Sequence, residues 1–207
     1  MIWECKIPSA KPILMDFAFV TGQVLNSYER LMIRGRFLMF EKGGYIVYGT
    51  TGVCLVEEIT GMKMKGASGE KLYYVLRPCF QKGNTIFTPV DNSKIAMRAV
   101  MNKAEAEALV ERIPEIEELT ETDDKERERL YKEAIKSGKP GEWIRIIKAS
   151  YLRSRKREAE GKRATTVDDR YFHTAEEHLY AELAVVLGME KDDVRQYIGQ
   201  KIELLEV

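Results

Sequence analysis

Phe40-Glu41-Lys42-Gly43-Gly44-Tyr45-Ile46-Val47-Tyr48-Gly49-Thr50-Thr51-Gly52-Val53-Cys54-Leu55-Val56 sets two apolar runs, each four residues long, among glycines. Tyr45 to Tyr48 and Val53 to Val56 are rich in β-branched and aromatic side chains, which fit a pleated, half-buried surface. Leu72-Tyr73-Tyr74-Val75-Leu76 and Thr85-Ile86-Phe87-Thr88 repeat that texture downstream. Lys65-Gly66-Ala67-Ser68-Gly69-Glu70 reads as the loop between two antiparallel strands. Four or five short strands within about 50 residues predict a small curled barrel, because so short a sheet must close to bury a core.

Working outward, the texture turns helical after Pro89 and is expected to stay so. Asn102 followed by Glu105 is a cap with its reciprocal carboxylate and opens a helix to about Arg112, which Pro114 ends. A second helix is expected over Asp123 to Ile135, closed by Ser137-Gly138, and a third over Glu142 to about Arg157. On the third, Trp143, Ile146, Ile147, Ser150 and Tyr151 fall at spacings of three and four and predict a buried face, with Tyr151-Leu152 as its last apolar anchor. Thr165 or Thr166 caps a fourth helix running to Leu187, with Gly188 just beyond, and Asp192 to Leu205 holds one or two more. The predicted class is α+β, a small β-barrel followed by an all-α domain, with boundaries at 1–38, 39–99 and 100–207.

Residues 1–38 stand apart, with two prolines and no apolar period. Met39 opens a segment that reads as a natural domain start, and Arg34-Gly35-Arg36 just before it fits the purine-rich codons of a ribosome-binding site. The native chain is therefore expected to begin at Met39; a genuine extension is the other reading. The cysteines, Cys5, Cys54 and Cys79, are odd in number and lack CxxC spacing, as expected of reduced thiols in a cytoplasmic protein. No run approaches the ~20 apolar residues of a membrane span.

Lys+Arg and Asp+Glu both number 33, so net charge says nothing about a polyanionic partner. Its distribution does. Glu105 to Glu128 holds eleven acidic and three basic residues, whereas Trp143 to Arg163 holds eight basic and two acidic. Catalytic constellations are missing. His173 and His178 are five apart, about 140° around a helix, so they cannot share a metal as i,i+4 histidines do. Gly138-Lys139 lacks the rest of a phosphate-binding loop, and there is no GxSxG. We expect no enzyme activity, no cofactor, no metal and no small-molecule substrate.

Phe40-x-x-Gly43-x-x-Ile46-Val47-Tyr48-Gly49-x-x-Gly52-Val53-Cys54-x-Val56, with Tyr73-Tyr74-x-Leu76, Pro89-Val90-Asp91-Asn92 and Met97-Arg98, resembles the polymerase-interacting domain of the CarD family of bacterial transcription regulators. Transcription-repair coupling factors carry a similar module. In the helical half, Ser137-Gly138, Ile146-Ile147-Lys148, Tyr151-Leu152-Arg153 and Leu179-Tyr180-x-Glu182-Leu183-Ala184 resemble the same family. The resemblance covers about residues 40–200. It implies a Tudor-like barrel whose edge strand pairs with the RNA polymerase β-subunit lobe, and a helical domain that contacts DNA upstream of the promoter bubble. Such a protein would be cytoplasmic and nucleoid-associated, without membrane contact.

By that resemblance the docking edge runs through Met62, Lys63, Met64 and Lys65, beside Thr85 and Phe87. Met62 and Phe87 stand where better-known members hold arginines; on texture alone both read as core. The family's tryptophan wedge, which partly unstacks a base step, aligns with Asp124, and a carboxylate cannot replace it. DNA contact would then rest on phosphates, from Arg153, Arg155, Lys156, Arg157, Lys162, Arg163 and Arg170, with Lys125, Arg127 and Arg129 as a second group. Base specificity is expected to be weak. The competing reading of both groups is a solvated, salt-bridged face, and that of the whole protein is an interaction module with no functional DNA contact. An RNA-binding barrel ranks below both, since aromatic platforms are not interleaved with the cations.

Overall fold

A computed structural model describes residues 32–33, 36–37, 40–63, 70–80 and 85–205. The proposed start at Met39, most of the predicted loop at 65–70, and Met64 and Lys65 of the docking edge lie outside the described residues. Ahead of the main domain, β1 (Met32–Ile33) and β2 (Arg36–Phe37) pair with each other and, among the described residues, with no other strand.

Five strands form one antiparallel sheet: β3 (Tyr45–Tyr48), β4 (Gly52–Lys63), β5 (Glu70–Pro78), β6 (Ile86–Pro89) and β7 (Met97–Ala99), in the order β6-β5-β4-β3-β7. β7 corrects the expectation of unbroken helix after Pro89. It is three residues long and aligns Met97 to Ala99 against Tyr48 to Ile46.

The sheet is open, not the closed barrel expected, Tudor-like or otherwise. Closure needs the two rim strands to meet in register; here β6 and β7 stand at opposite ends of the order and do not pair. Side chains do what a closing ladder would have done. Phe40, Ile46, Tyr48, Cys54, Val56, Tyr74 and Leu76 form a cluster against which Ile86 from one rim and Met97 from the other both pack. An irregularity in the ladder between Val56 and Glu58 gives the twelve-residue β4 a place to bend.

The helices are α1 (Lys103–Glu111), α2 (Asp124–Ser137), α3 (Pro140–Ala159), α4 (Thr166–Leu187) and α5 (Lys191–Leu205). Their ends follow local chemistry. Asn102 and Glu105 make the reciprocal capping box, Asp123 and Thr165 accept from backbone N–H groups three residues on, and Gly138 and Gly188 end α2 and α4 in the left-handed region. A 3-10 turn at Ile113–Glu115 carries Pro114. Trp143, Ile146, Leu179, Leu183 and Tyr131 fill the helical core, and Val47 and Val53 from the sheet belong to the same cluster. The sheet is therefore buried on both faces where it meets the helices.

Tyr151 and Leu152 are not the anchors expected; they are 55% and 50% exposed. The helical angle explains this. Tyr151 lies eight residues from Trp143, about 80° round, and Leu152 nine, about 180°. Cys54 lies in the inner cluster and Cys79, just past β5, packs against the helical core. Burial, with Cys79 nearby, pushes the Cys54 thiol up to about 12.

Candidate functional site

β6 is a terminal strand, so one side of its backbone has no strand partner among the described residues. The Val90 N–H donates to the Leu72 carbonyl at 3.0 Å, and the register aligns Thr88 with Tyr74 and Ile86 with Leu76. Ladder bonds in an antiparallel pair recur at every second residue, so Ile86, Thr88 and Val90 bond inward while Phe87 presents its N–H and C=O outward. Pro89 has no N–H to offer. The Phe87 side chain is 52% exposed and Thr85 is exposed beside it. An outward amide next to an exposed aromatic ring is what strand addition uses.

Met62 and Lys63 lie elsewhere. They sit on β4, aligned with Lys71 and Glu70, and β5 intervenes between them and β6. The predicted edge therefore does not come together as one strand. Among the described residues β4 has an opening of its own: β3 pairs with it as far as Leu55, and the Gly43 and Gly44 backbone reaches Val56.

The cations of the helical half divide by partner. Arg127 is 1% exposed. Its Nε donates to Asp168 at 3.1 Å and a terminal nitrogen lies 2.8 Å from Asp124. Arg153 reaches the same two carboxylates at 3.2 and 3.5 Å, and Thr165 Oγ1 donates to Asp168. Arg127 therefore holds α2 to α4, with its side chain buried against these carboxylates. Arg129 is clamped between Glu126 and Glu133 along its own helix, and Arg170 pairs with Glu128 at 2.7 Å.

At the far end of α3 the commitments loosen. Arg157 donates from Nε to the Arg163 carbonyl and fastens the turn into α4, and Lys162 pairs with Glu160 at 2.9 Å. Arg155 is exposed with Glu158 a distant 3.8 Å away, and Lys156, Arg163 and, on α2, Lys125 are exposed. Tyr151 and Leu152 stand just before this cluster, an apolar pair in water. Asp124, at the expected wedge position, is an exposed anion between Arg127 and Arg153. A hydrogen bond from Arg127 holds its carboxyl below the usual carboxylate range.

The two halves are joined by residues that lie far apart in the sequence. Arg98 on β7 donates from both terminal nitrogens to Glu182 on α4, at 2.5 and 2.6 Å, and from Nε to the Gly138 carbonyl at 2.6 Å. Met97-Arg98, Ser137-Gly138 and Glu182 were three separate pieces of the resemblance; they meet at one point. A buried carboxylate late in a long amphipathic helix was the available signal, since such a group needs a cation.

Among the described residues, then, an open, curled sheet with an unpaired terminal strand is joined to a helical bundle. Residues 40–101 match the family model of the CarD-like/TRCF RID domain, a non-catalytic interaction domain whose family engages RNA polymerase. The match ends at Met101, before α1, and the helical half lies beyond it. No curated protein matches the chain. No group of three or more His, Cys, Asp or Glu suited to a metal occurs among the described residues, and none of their helices is long and apolar enough to cross a membrane.

Proposed function

We propose that this chain is a transcription regulator that docks on the β-subunit lobe of RNA polymerase by adding a strand to β6. Its helical half would then contact upstream promoter DNA and alter the lifetime of the open complex. Acting on the chromosome, it would work in the cytoplasm at the nucleoid. The observation that carries the reading is the outward backbone of Phe87 on the terminal strand of a matched RID domain. Backbone hydrogen bonds supply affinity in this mode and the exposed ring supplies selectivity. Co-purification with core polymerase tests it: wild type is retained and Phe87→Asp is lost from the complex without loss of fold. Equal retention of the two would place docking elsewhere, with the open stretch of β4 near Met62 next in line.

DNA contact narrows to Arg155, Lys156, Arg163 and Lys125, with Arg157, Lys162 and Arg170 able to join by exchanging a carboxylate for a phosphate. Each neutralised phosphate releases counterions, so retention should weaken steeply with salt. A second reading is a polymerase-binding module with no functional DNA contact. It is favoured by Asp124 at the wedge position and by the number of cations already paired with carboxylates. Promoter-fragment retention in the presence of polymerase separates the two.

A further inference from the structure

The polar joint between sheet and helices does more than add contacts. We propose that Arg98 and Glu182 are a positioning pair that fixes the angle between the β6 rim and the basic end of α3, so that partners on the two sites are held together; this rests on the function proposed above.

Arg98 belongs to the last strand of the sheet, aligned with Val47 on β3. Three bonds of its guanidinium cross the joint, to both Glu182 oxygens and to the Gly138 carbonyl that ends α2, and a fourth holds its own neighbour's carbonyl at Ala99. Glu182 is fully buried, and its Oε1 also accepts from the Met101 N–H at 3.0 Å. One carboxylate on α4 therefore holds the rim strand and the chain leaving it.

Behind this fork the packing is equally directional. The guanidinium lies 5.6 Å from the Trp143 ring centroid, Trp143 stacks on His178 at 5.3 Å, and His178 fills the space above Gly52. A Cβ on Gly52 would come within 2.7 Å of His178 Nδ1, so no other residue fits there without displacing the ring. Gly138, at φ 67°, adopts the left-handed turn that aims its carbonyl at Arg98. Only Val100 to Asn102 separate β7 from α1.

A buried ion pair is weak evidence of net stability, because desolvation offsets attraction. What a bidentate fork supplies is orientation, since two parallel N–H···O bonds admit little rotation. An apolar seam alone can slide. When two binding sites on one body are set at the right span, the second contact becomes intramolecular and joint affinity rises by factors of about 10² to 10⁴. Loosening the joint forfeits that gain while leaving each site intact.

The test measures the joint and its consequence separately. Spin labels introduced as unnatural amino acids at the exposed Ser93 and Ala159, leaving the cysteines untouched, report the distance between the halves by double electron–electron resonance. Arg98→Lys keeps the charge but loses the fork, and Glu182→Gln keeps the shape. Wild type should give one narrow distribution, and the folded variants broad ones. Polymerase binding alone should change less than about twofold, and retention of polymerase on promoter DNA should fall about tenfold or more. A narrow distribution in folded Arg98→Lys and Glu182→Gln overturns the proposal. Should both unfold, Arg98→Gln/Glu182→Gln, which strands no charge, replaces them, and a narrow distribution there overturns it equally. Failure of wild type to bind polymerase would sink the functional reading while leaving the distance result standing.

Discussion

Arg127 near the start of α2 and Arg155 near the end of α3 carry the same charge, one among alternating acids and the other in a basic run, and the fold gives them opposite tasks. Arg127 is buried against Asp168 and Asp124, while Arg155 stands in water with only a distant carboxylate. The difference is made 41 residues away, where Thr165 caps α4 and turns Asp168 inward. A basic run tells what charge is present. Its availability to a polyanion is decided by acids elsewhere in the chain.

That contrast can be broken most forcefully at Arg127. Arg127→Ala leaves Asp168 buried with only Arg153 to compensate, and should cost about 3 kcal/mol in urea denaturation. A loss below about 0.5 kcal/mol would mean the arginine is as dispensable as an exposed one. The opposite experiment uses the tip. Arg155→Glu/Lys156→Glu should change stability by no more than about 0.5 kcal/mol, yet weaken promoter retention in the polymerase complex about tenfold and flatten its salt dependence. Unchanged retention would favour the module without DNA contact.

The joint offers a finer test through pH. Burial lowers the His178 pKa below its ordinary 6.5, with Glu177 acting weakly in the other direction. The unfolded chain therefore takes up a proton first as pH falls, and the stability that neutral His178 contributes is complete above pH 6.5 and lost through the lower folded value. His178→Gln should show a shallower decline in stability below pH 6.5 than wild type. Parallel profiles would mean that the ring does not titrate differently on folding.

The sequence disclosed what depends on neighbouring residues. The Asn102–Glu105 capping box, the Thr165 cap and the terminal glycines at 138 and 188 set helix ends close to where they fall, and Tyr45 to Tyr48 is strand β3 as read. What it hid depends on distant ones. β7 is only Met97 to Ala99, too short to announce itself, and it exists because β3, some fifty residues earlier, offers a free side. Whether five strands close is a matter of coil and register, which no local texture reports, and here they stay open. The basic set was legible as a set, but Arg127 was not separable from Arg155 without Asp168. The apolar character of Tyr151 and Leu152 points inward while their angular position points outward, and nothing local in Arg98 or Glu182 announces their bond.

Strand addition at β6 is tested most directly by amide hydrogen exchange of the chain with and without core RNA polymerase. The outward amide of Phe87 should become protected in the complex, while those of Ile86 and Thr88, already bonded to β5, change little. Protection confined to the helices, or to β4 with Phe87 exchanging as freely as before, would contradict the account.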